Sequence, residues 1–263
     1  MVHFSDEKTE VKKESAKTEP AWEGAGEEVG LQIWRIVKFK VTKLSPLDYG
    51  KFFNGDSYII LNTYNNSDSE ALAFDVHFWI GKDSTQDEYG TAAYKTVELD
   101  TYLDDKPVQH REVQGNESKL FKSYFPKGLT IMKGGAESGF REPAGGQEEN
   151  EDEDEKDEEN VKKDADVEKK TLFKVSDASG ELKIGQIKDE DITMDALDSN
   201  EVFVLDCIKE CFVWFGKDAS PLETKNGLEY ASTHLGTTSH PFAPITVLKE
   251  GQNQPSFVDC LTA

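Results

Sequence analysis

The sequence has few cysteines, no long apolar run and a shortage of basic residues. Its three cysteines, Cys207, Cys211 and Cys260, are an odd number without the spacing of a zinc site, so neither a disulfide framework nor a metal knuckle is indicated. No segment approaches the roughly 20 apolar residues of a membrane span, and the first residues contain no apolar core of signal-peptide length. These absences predict a cytoplasmic protein without a transmembrane segment.

Acidic residues outnumber basic residues by 52 to 30, which gives a formal net charge of −22 at pH 7. Because nucleic-acid backbones are bound through basic faces, general binding of nucleic acid is excluded. The acidity favours cations or basic partners, or it serves solubility. The length of 263 residues is sufficient for about two domains at roughly 150 residues each.

Composition divides the chain into segments of different character. Residues 1–24 are rich in Lys, Glu and Thr and are predicted to form a disordered tail. Residues 142–170 contain 14 acidic and 5 basic residues, and their few apolar side chains cannot offset the entropy lost by an ordered backbone. We therefore predict domains at residues 25–133 and 171–256, an acidic disordered linker at 134–170 and a short tail at 257–263.

Hydrophobic periodicity predicts an α+β architecture in both domains. Residues 31–37 and 74–80 alternate apolar and polar side chains, as half-buried strands do. After residue 84 the period lengthens to that of a helix, and steps of four, three and four place Ala92, Thr96, Leu99 and Leu103 on one face. Shorter runs predict strands near residues 58–61, 129–132, 172–175, 201–206, 211–215 and 245–248, and helices near 117–124 and 222–235.

The two predicted domains repeat one sequence pattern. Residues 79–88 align without gaps with residues 214–223, and in both copies Trp-x-Gly-Lys-Asp ends a strand and a Glu follows the Trp by nine residues. Upstream, Asp56 and Glu201 each stand at the head of an apolar strand. Two copies are too few for a solenoid, so the sequence predicts a duplicated globular unit.

These residues carry a family resemblance. The chain resembles the gelsolin, severin, fragmin and villin family of actin-regulating proteins over roughly residues 25–256. The resemblance is densest in four motifs: GLQIWR at 30–35, YGKFFNGDSY at 49–58, QDE at 86–88 and VQHREVQG at 108–115. It implies two gelsolin-like domains, each a mixed β-sheet packed against a long and a short helix.

Carboxylates at matching places in the two repeats are candidate calcium ligands. Asp56 begins a strand and Glu88 begins a helix, and the repeat pairs them with Glu201 and Glu223. Calcium takes six to eight oxygen ligands, whereas an acid at a helix start is also a common cap or dipole partner. The resemblance implies one ion at Gly55, Asp56, Glu88 and Ala136, a second at Asn200, Glu201 and Glu223, and a third, shared with actin, at Asp100 and the carbonyls near Asp105 and Pro107.

The long helix of the first domain carries more apolar side chains than one core face needs. Such a surplus is typical of a helix that docks in a groove, although the same residues could belong to the core. The resemblance implies that this helix inserts into the cleft of actin at the barbed end. The candidate contacts are Gln86, Tyr89, Ala93, Tyr94 and Val97.

Basic residues between the second helix and the linker form a candidate phosphoinositide site, comprising Lys122, Lys127, Lys133 and Arg141. Four cations near an anionic leaflet contribute about 1 kcal/mol each, but the acidic linker opposes this attraction.

The first functional hypothesis is therefore a calcium-regulated, non-enzymatic protein that binds actin monomers and barbed ends, with capping and severing as its activities at the cytoskeleton. The alternative is an acidic scaffold or chaperone that binds basic proteins through residues 142–170. An enzyme is disfavoured, because the sequence contains no recognisable nucleophile or phosphate-binding motif.

Overall fold

A computed structural model of the chain describes residue 16 and residues 18–66, 71–136, 169–188 and 192–262. The chain divides into two compact units, residues 1–150 and 151–263. The predicted domain limits near residues 133 and 171 stay predictions, since most of the intervening segment lies outside the described residues.

The first unit contains seven described strands and two α-helices. The strands are β1 (Gly30–Val37), β2 (Lys40–Lys43), β3 (Lys51–Phe53), β4 (Ser57–Asn65), β5 (Leu72–Ile80), β6 (Val108–Val113) and β7 (Thr130–Met132), and the helices are α1 (Gln86–Tyr102) and α2 (Lys119–Ser123). Five strands form a sheet in the order β2-β1-β4-β5-β6, antiparallel except for the parallel pair β5 and β6. Strands β3 and β7 form a separate parallel pair.

Alternation along the central strands creates two cores, one on each face of this sheet. On one face Trp34, Ile59 and Phe78 pack against the buried stripe of α1. On the other face Ile60 and Trp79 pack with aromatic residues around α2. Because successive strand residues point to opposite faces, the period-2 pattern of the sequence translates directly into these two layers, and the strands predicted in this unit are confirmed.

The second unit repeats this plan. Its strands are β8 (Thr171–Ser176), β9 (Lys183–Ile187), β10 (Val202–Asp206), β11 (Cys211–Phe215) and β12 (Ile245–Lys249), and its helices are α3 (Pro221–Leu235) and α4 (Pro255–Thr262). The sheet order β9-β8-β10-β11-β12 matches that of the first unit, again antiparallel except for its last pair. The α+β fold class and the duplication are therefore confirmed.

The described residues depart from the sequence prediction at both ends of the chain. Trp22, assigned to a disordered tail, is fully buried, packs edge-on against Trp34 with ring centroids 5.2 Å apart, and donates a hydrogen bond of 2.9 Å from its indole to Glu98. One large aromatic side chain, with small neighbours such as Ala21 and Ala25, buries enough apolar area to order a short segment that is otherwise mostly polar. The mostly polar composition of residues 1–24 did not predict the burial of Trp22.

Residues 257–262 are likewise not a tail, since they belong to α4. Phe257 and Leu261 of this helix are buried, and a disulfide joins Cys260 to Cys207. The prediction that no disulfide is indicated was wrong, because the pairing depends on a fold that brings together two cysteines 53 positions apart. Sequence spacing contains no sign of it.

Candidate functional site

Asp56 occupies a buried position where the β3–β4 turn meets the end of β7. Its side chain is fully buried, its Oδ1 accepts a hydrogen bond of 2.7 Å from the backbone N–H of Ala136, and its Oδ2 forms an ion pair with Arg35. Burial raises the pKa of this carboxyl, while the Ala136 N–H and the Arg35 charge oppose the rise. The structure thus brings Gly55, Asp56 and Ala136 together, as the calcium prediction requires.

The Trp-x-Gly-Lys-Asp motif explains how this turn is held. The N–H of Gly81 donates to the carbonyl of Asp56 at 2.9 Å, and a Cβ at Gly81 would collide with the carbonyl oxygen of Asn54. In the second unit the N–H of Gly216 donates to the carbonyl of Glu201 at 3.0 Å. A Cβ at Gly216 would likewise collide with the carbonyl oxygen of Ser199. The motif glycine is therefore required for close backbone approach, and each copy places an acid beside the following helix.

Glu88 caps α1 and is buried. Thr85 and Glu88 form a capping box, in which Glu88 Oε2 accepts from the Thr85 N–H at 3.2 Å. The Ser84 hydroxyl also contacts Oε2 at 3.4 Å and lies 2.8 Å from the hydroxyl of Ser57, next to Asp56. Both hydrogen bonds use Oε2, so the capping role leaves Oε1 available, and the cap and ligand interpretations of Glu88 are compatible.

The second unit has the same arrangement with different side chains. Glu223 caps α3 in a capping box with Ser220 and also accepts a hydrogen bond of 2.8 Å from the N–H of Asp177. Glu201, beside Asn200, is buried and forms an ion pair with Lys174 at 2.9 Å through Oε1. Its other oxygen, Oε2, is buried and has no hydrogen-bond partner among the described residues.

The donor chemistry of these two places suits calcium. An unpaired buried carboxylate oxygen is costly, and a hard cation would satisfy it. Among the described residues no group of three or more His, Cys, Asp or Glu side chains could hold a metal ion. An ion held there would thus take two carboxylates and complete its shell with backbone carbonyls and water, which is the composition of both predicted ligand sets.

Asp100 lies in the last turn of α1 and is buried, an unusual place for an acid near the negative end of a helix. Its carbonyl accepts a hydrogen bond of 2.9 Å from the N–H of Asp105. Asp105 has a positive φ of 57°, which turns the chain back past this position towards the buried Pro107. The three residues predicted to share an ion therefore belong to one tight turn.

The face of α1 opposite its buried stripe carries two exposed apolar side chains. Tyr94 is 65% exposed and Val97 52%, whereas Ala92 and Leu99 are fully buried. Gln86 and Tyr89 are also exposed, and Ala93 is half-buried at the edge of the core. Sequence reasoning missed Phe39, which is 58% exposed and lines a shallow groove together with Gln86, Tyr89 and Tyr94. Phe39 lies in the turn between β1 and β2, where no helical periodicity could indicate its contact with the helix face.

Helix α3 provides an internal comparison for α1. It starts at the equivalent position and buries the equivalent stripe, including Gly227 and Ala231 in place of Ala92 and Thr96. Under the gapless alignment of the repeats, however, Glu229 and Ser232 stand where α1 has Tyr94 and Val97. The fold thus does not require the exposed apolar side chains of α1, which indicates that they serve another purpose.

Lys122, Lys127 and Lys133 are exposed along α2 and the segment through β7, and Lys122 lies 4.0 Å from Glu117. Arg141, predicted with them, lies outside the described residues, as do residues 142–168 of the scaffold hypothesis. Within the described parts of the chain, no helix is long and apolar enough to cross a membrane.

The buried histidines of the first unit are structural. His77 and His110 stack with ring centroids 4.2 Å apart, and His77 Nδ1 lies 2.9 Å from Glu112. Tyr124 and Asp75 complete this buried network. Burial, assisted by the His110 charge, lowers the pKa of His77 well below its ordinary value. Both imidazole rings are thus buried and held by neighbouring side chains, with His77 0% and His110 1% exposed.

Comparison with known proteins identifies the family. The gelsolin repeat model matches residues 38–122 and 187–258. Gelsolin-like protein 1 of Lumbricus terrestris is 42% identical over an alignment covering 94% of this chain and 91% of that protein, and severin of Echinococcus granulosus is 33% identical with the same coverages. Cytoplasmic gelsolin of Homarus americanus is 38% identical over 81% of this chain and 25% of its own length. One matched repeat lies within each of the two units that share one sheet order, and the chain therefore belongs to the gelsolin family of actin-regulating proteins.

Proposed function

We propose that this chain is a calcium-regulated protein that binds actin monomers and the barbed ends of filaments, and that it caps and severs filaments. The observation that carries the proposal is the exposed apolar pair Tyr94 and Val97 on the outer face of α1, in whose places the equivalent helix α3 has Glu229 and Ser232. Family membership and the groove beside this face support the insertion of α1 into the cleft of actin. This activity requires no catalytic residue, and we place the protein at the cytoskeleton in the cytoplasm.

Calcium would be held in the first unit by Asp56, Glu88 and the carbonyls of Gly55 and Ala136. An ion held there would supply positive charge between the head of β4 and the start of α1. Asp56 is positioned by the Ala136 N–H, and Glu88 by its capping box, so contacts of the fold set the places of both carboxylates. Asn200, Glu201 and Glu223 would act in the same way in the second unit, and Asp100 would add a contact beside bound actin.

The actin-binding face is tested by a double substitution, Tyr94→Ala with Val97→Ala. Interface anchors of this kind cost about 2 kcal/mol or more when truncated, so we expect actin binding to weaken roughly 30-fold or more. The measurement is inhibition of barbed-end elongation in calcium. Leu47→Ala is the matched control, because Leu47 is an exposed apolar residue of the same unit, 86% accessible; equal effects of both changes would contradict the assignment.

Calcium regulation is tested by comparing the same elongation assay with calcium and with a chelator. An Asp56→Asn and Glu88→Gln variant, in which both replacements keep the shape of the side chain, should lose most of the calcium dependence. Undiminished calcium dependence in this variant would remove the proposed mechanism.

Phosphoinositide binding by Lys122, Lys127 and Lys133 is a weaker proposal, supported by their exposure on one segment. Cosedimentation with vesicles containing phosphoinositide should decrease when all three are changed to Gln. Binding that persists in the triple variant would place the lipid site elsewhere.

A further inference from the structure

In each unit, the proposed calcium carboxylate at the head of a strand, Asp56 or Glu201, faces a basic side chain from the neighbouring strand. Arg35 of β1 forms an ion pair with Asp56, and Lys174 of β8 forms one with Glu201 at 2.9 Å. The side chain of Arg35 is 14% exposed and that of Asp56 fully buried. Neither cation was singled out by the sequence pattern, because the pairing depends on strand register.

The two cations occupy equivalent places in the duplicated fold. Arg35 pairs in register with Tyr58, two residues after Asp56. Lys174 pairs in register with Phe203, two residues after Glu201. Both pairs join the corresponding antiparallel strands of their units, so the same geometric relation between cation and acid occurs twice.

The pairing leaves Asp56 little capacity for another cation. Its Oδ1 accepts from the Ala136 N–H at 2.7 Å, and its Oδ2 contacts both the Arg35 guanidinium and, at 3.5 Å, the Tyr58 hydroxyl. A divalent ion that used this carboxylate would lie next to a fixed positive charge in a poorly screened place. Two positive charges on one carboxylate oxygen repel strongly where water is excluded. The ion and the guanidinium therefore cannot both occupy Oδ2.

We propose that Arg35 and Lys174 are built-in competitors of calcium, which hold the ligand carboxylates in the ion-free protein and must be displaced when the ion binds. This inference rests on the proposed calcium function and adds to it the residues that set the calcium threshold. A carboxylate that is buried without a counter-charge is strongly destabilising. The resident cation therefore stabilises the ion-free state and weakens the apparent affinity for calcium by the same free energy.

The competition is stronger in the first unit. Arg35 is largely buried, and its guanidinium also stacks over the ring of Phe53 with its Cζ 4.3 Å from the ring centroid, so two contacts hold it at Asp56. Lys174 is 35% exposed and engages only Oε1 of Glu201, whose Oε2 has no hydrogen-bond partner among the described residues. An ion can approach Glu201 through this second oxygen, and removal of Lys174 should have the smaller effect.

The test is calorimetric titration of calcium into the full chain, with the ion at the first site identified as the one that Asp56→Asn removes. We expect Arg35→Met to lower the dissociation constant of that ion by about tenfold or more, and Arg35→Lys, which keeps the charge, to lower it less. Lys174→Met should lower the dissociation constant of the second ion by a smaller factor. Lys40→Met removes an exposed charge from β2 and controls for net charge, with an expected change of less than about twofold.

Thermal unfolding provides a second readout that does not depend on the titration. Arg35→Met should lower the midpoint without calcium and increase the shift that saturating calcium produces, since the ion then replaces the missing counter-charge. If Arg35→Met fails to fold without calcium, its rescue by calcium supports the proposal, and failure of calcium to rescue it overturns the proposal.

The outcomes separate this inference from the function on which it rests. If Asp56→Asn removes no ion, the proposed calcium site fails and the competition fails with it. If Asp56→Asn removes an ion but Arg35→Met leaves its affinity unchanged or weaker, the cation positions the ligand instead of competing, and only the present inference is overturned.

Discussion

Replacement of Trp22 by alanine should destabilise the first unit far more than its place in a polar N-terminal segment suggests. The side chain is fully buried and packs against Trp34. Burial of 150–250 Å² of aromatic surface at about 25 cal/mol per Å² corresponds to roughly 4–6 kcal/mol, and large-to-small aromatic changes in cores typically cost about 3–5 kcal/mol. We expect a loss in this latter range.

A second substitution separates packing from hydrogen bonding. Trp22→Phe keeps most of the apolar area but removes the indole N–H that donates to Glu98. Since Glu98 retains its ion pair with Lys95 at 2.9 Å, its carboxylate is not left unpaired, and the cost should be only about 1–2 kcal/mol.

The assay is urea unfolding followed by circular dichroism, in which midpoint shifts convert to free energy through the slope m. Leu47→Ala is the control, because Leu47 is 86% exposed and exposed substitutions usually change stability by less than about 0.5 kcal/mol. A loss below about 1 kcal/mol for Trp22→Ala would refute the conclusion that this segment belongs to the core.

Two further predictions concern backbone approach and a buried base. Gly81→Ala should lower the free energy of unfolding by about 2 kcal/mol or more and weaken the first calcium site, because its Cβ would collide with the Asn54 carbonyl. In contrast, a Cβ at Gly90 in α1 meets no atom within 4 Å, so Gly90→Ala should raise the free energy of unfolding by about 0.8–1 kcal/mol through helix propensity. Equal effects of the two changes in unfolding experiments would contradict this difference. Burial lowers the pKa of His77, so the unfolded chain binds the extra proton below about pH 6.5, and this residue's contribution to stability falls as pH falls, by up to about 1.4 kcal/mol per pH unit. Urea unfolding at several pH values should show that His77→Gln lowers this acid sensitivity, and an unchanged pH slope would show that His77 is not the group responsible.

The sequence determined the elements and their repetition. Strand alternation and the lengthened period after residue 84 predicted the sheet and α1, because side-chain direction follows directly from backbone geometry. The Trp-x-Gly-Lys-Asp motif predicted where each repeat places a strand end and a helix start, since its glycine permits close backbone approach and its later Glu caps the helix. Local chemistry was sufficient for these conclusions.

Tertiary structure alone decided which distant residues meet. The hydrogen bond of Trp22 to Glu98, the Cys207–Cys260 disulfide and the pairing of Arg35 with Asp56 each join residues from separate elements of the chain. The periodicity of the sequence does not predict such contacts, because they depend on strand register and on the packing of segments whose composition does not distinguish them. The sequence could propose the calcium carboxylates from their repetition, but only the register of adjacent strands placed a resident cation against Asp56 and against Glu201.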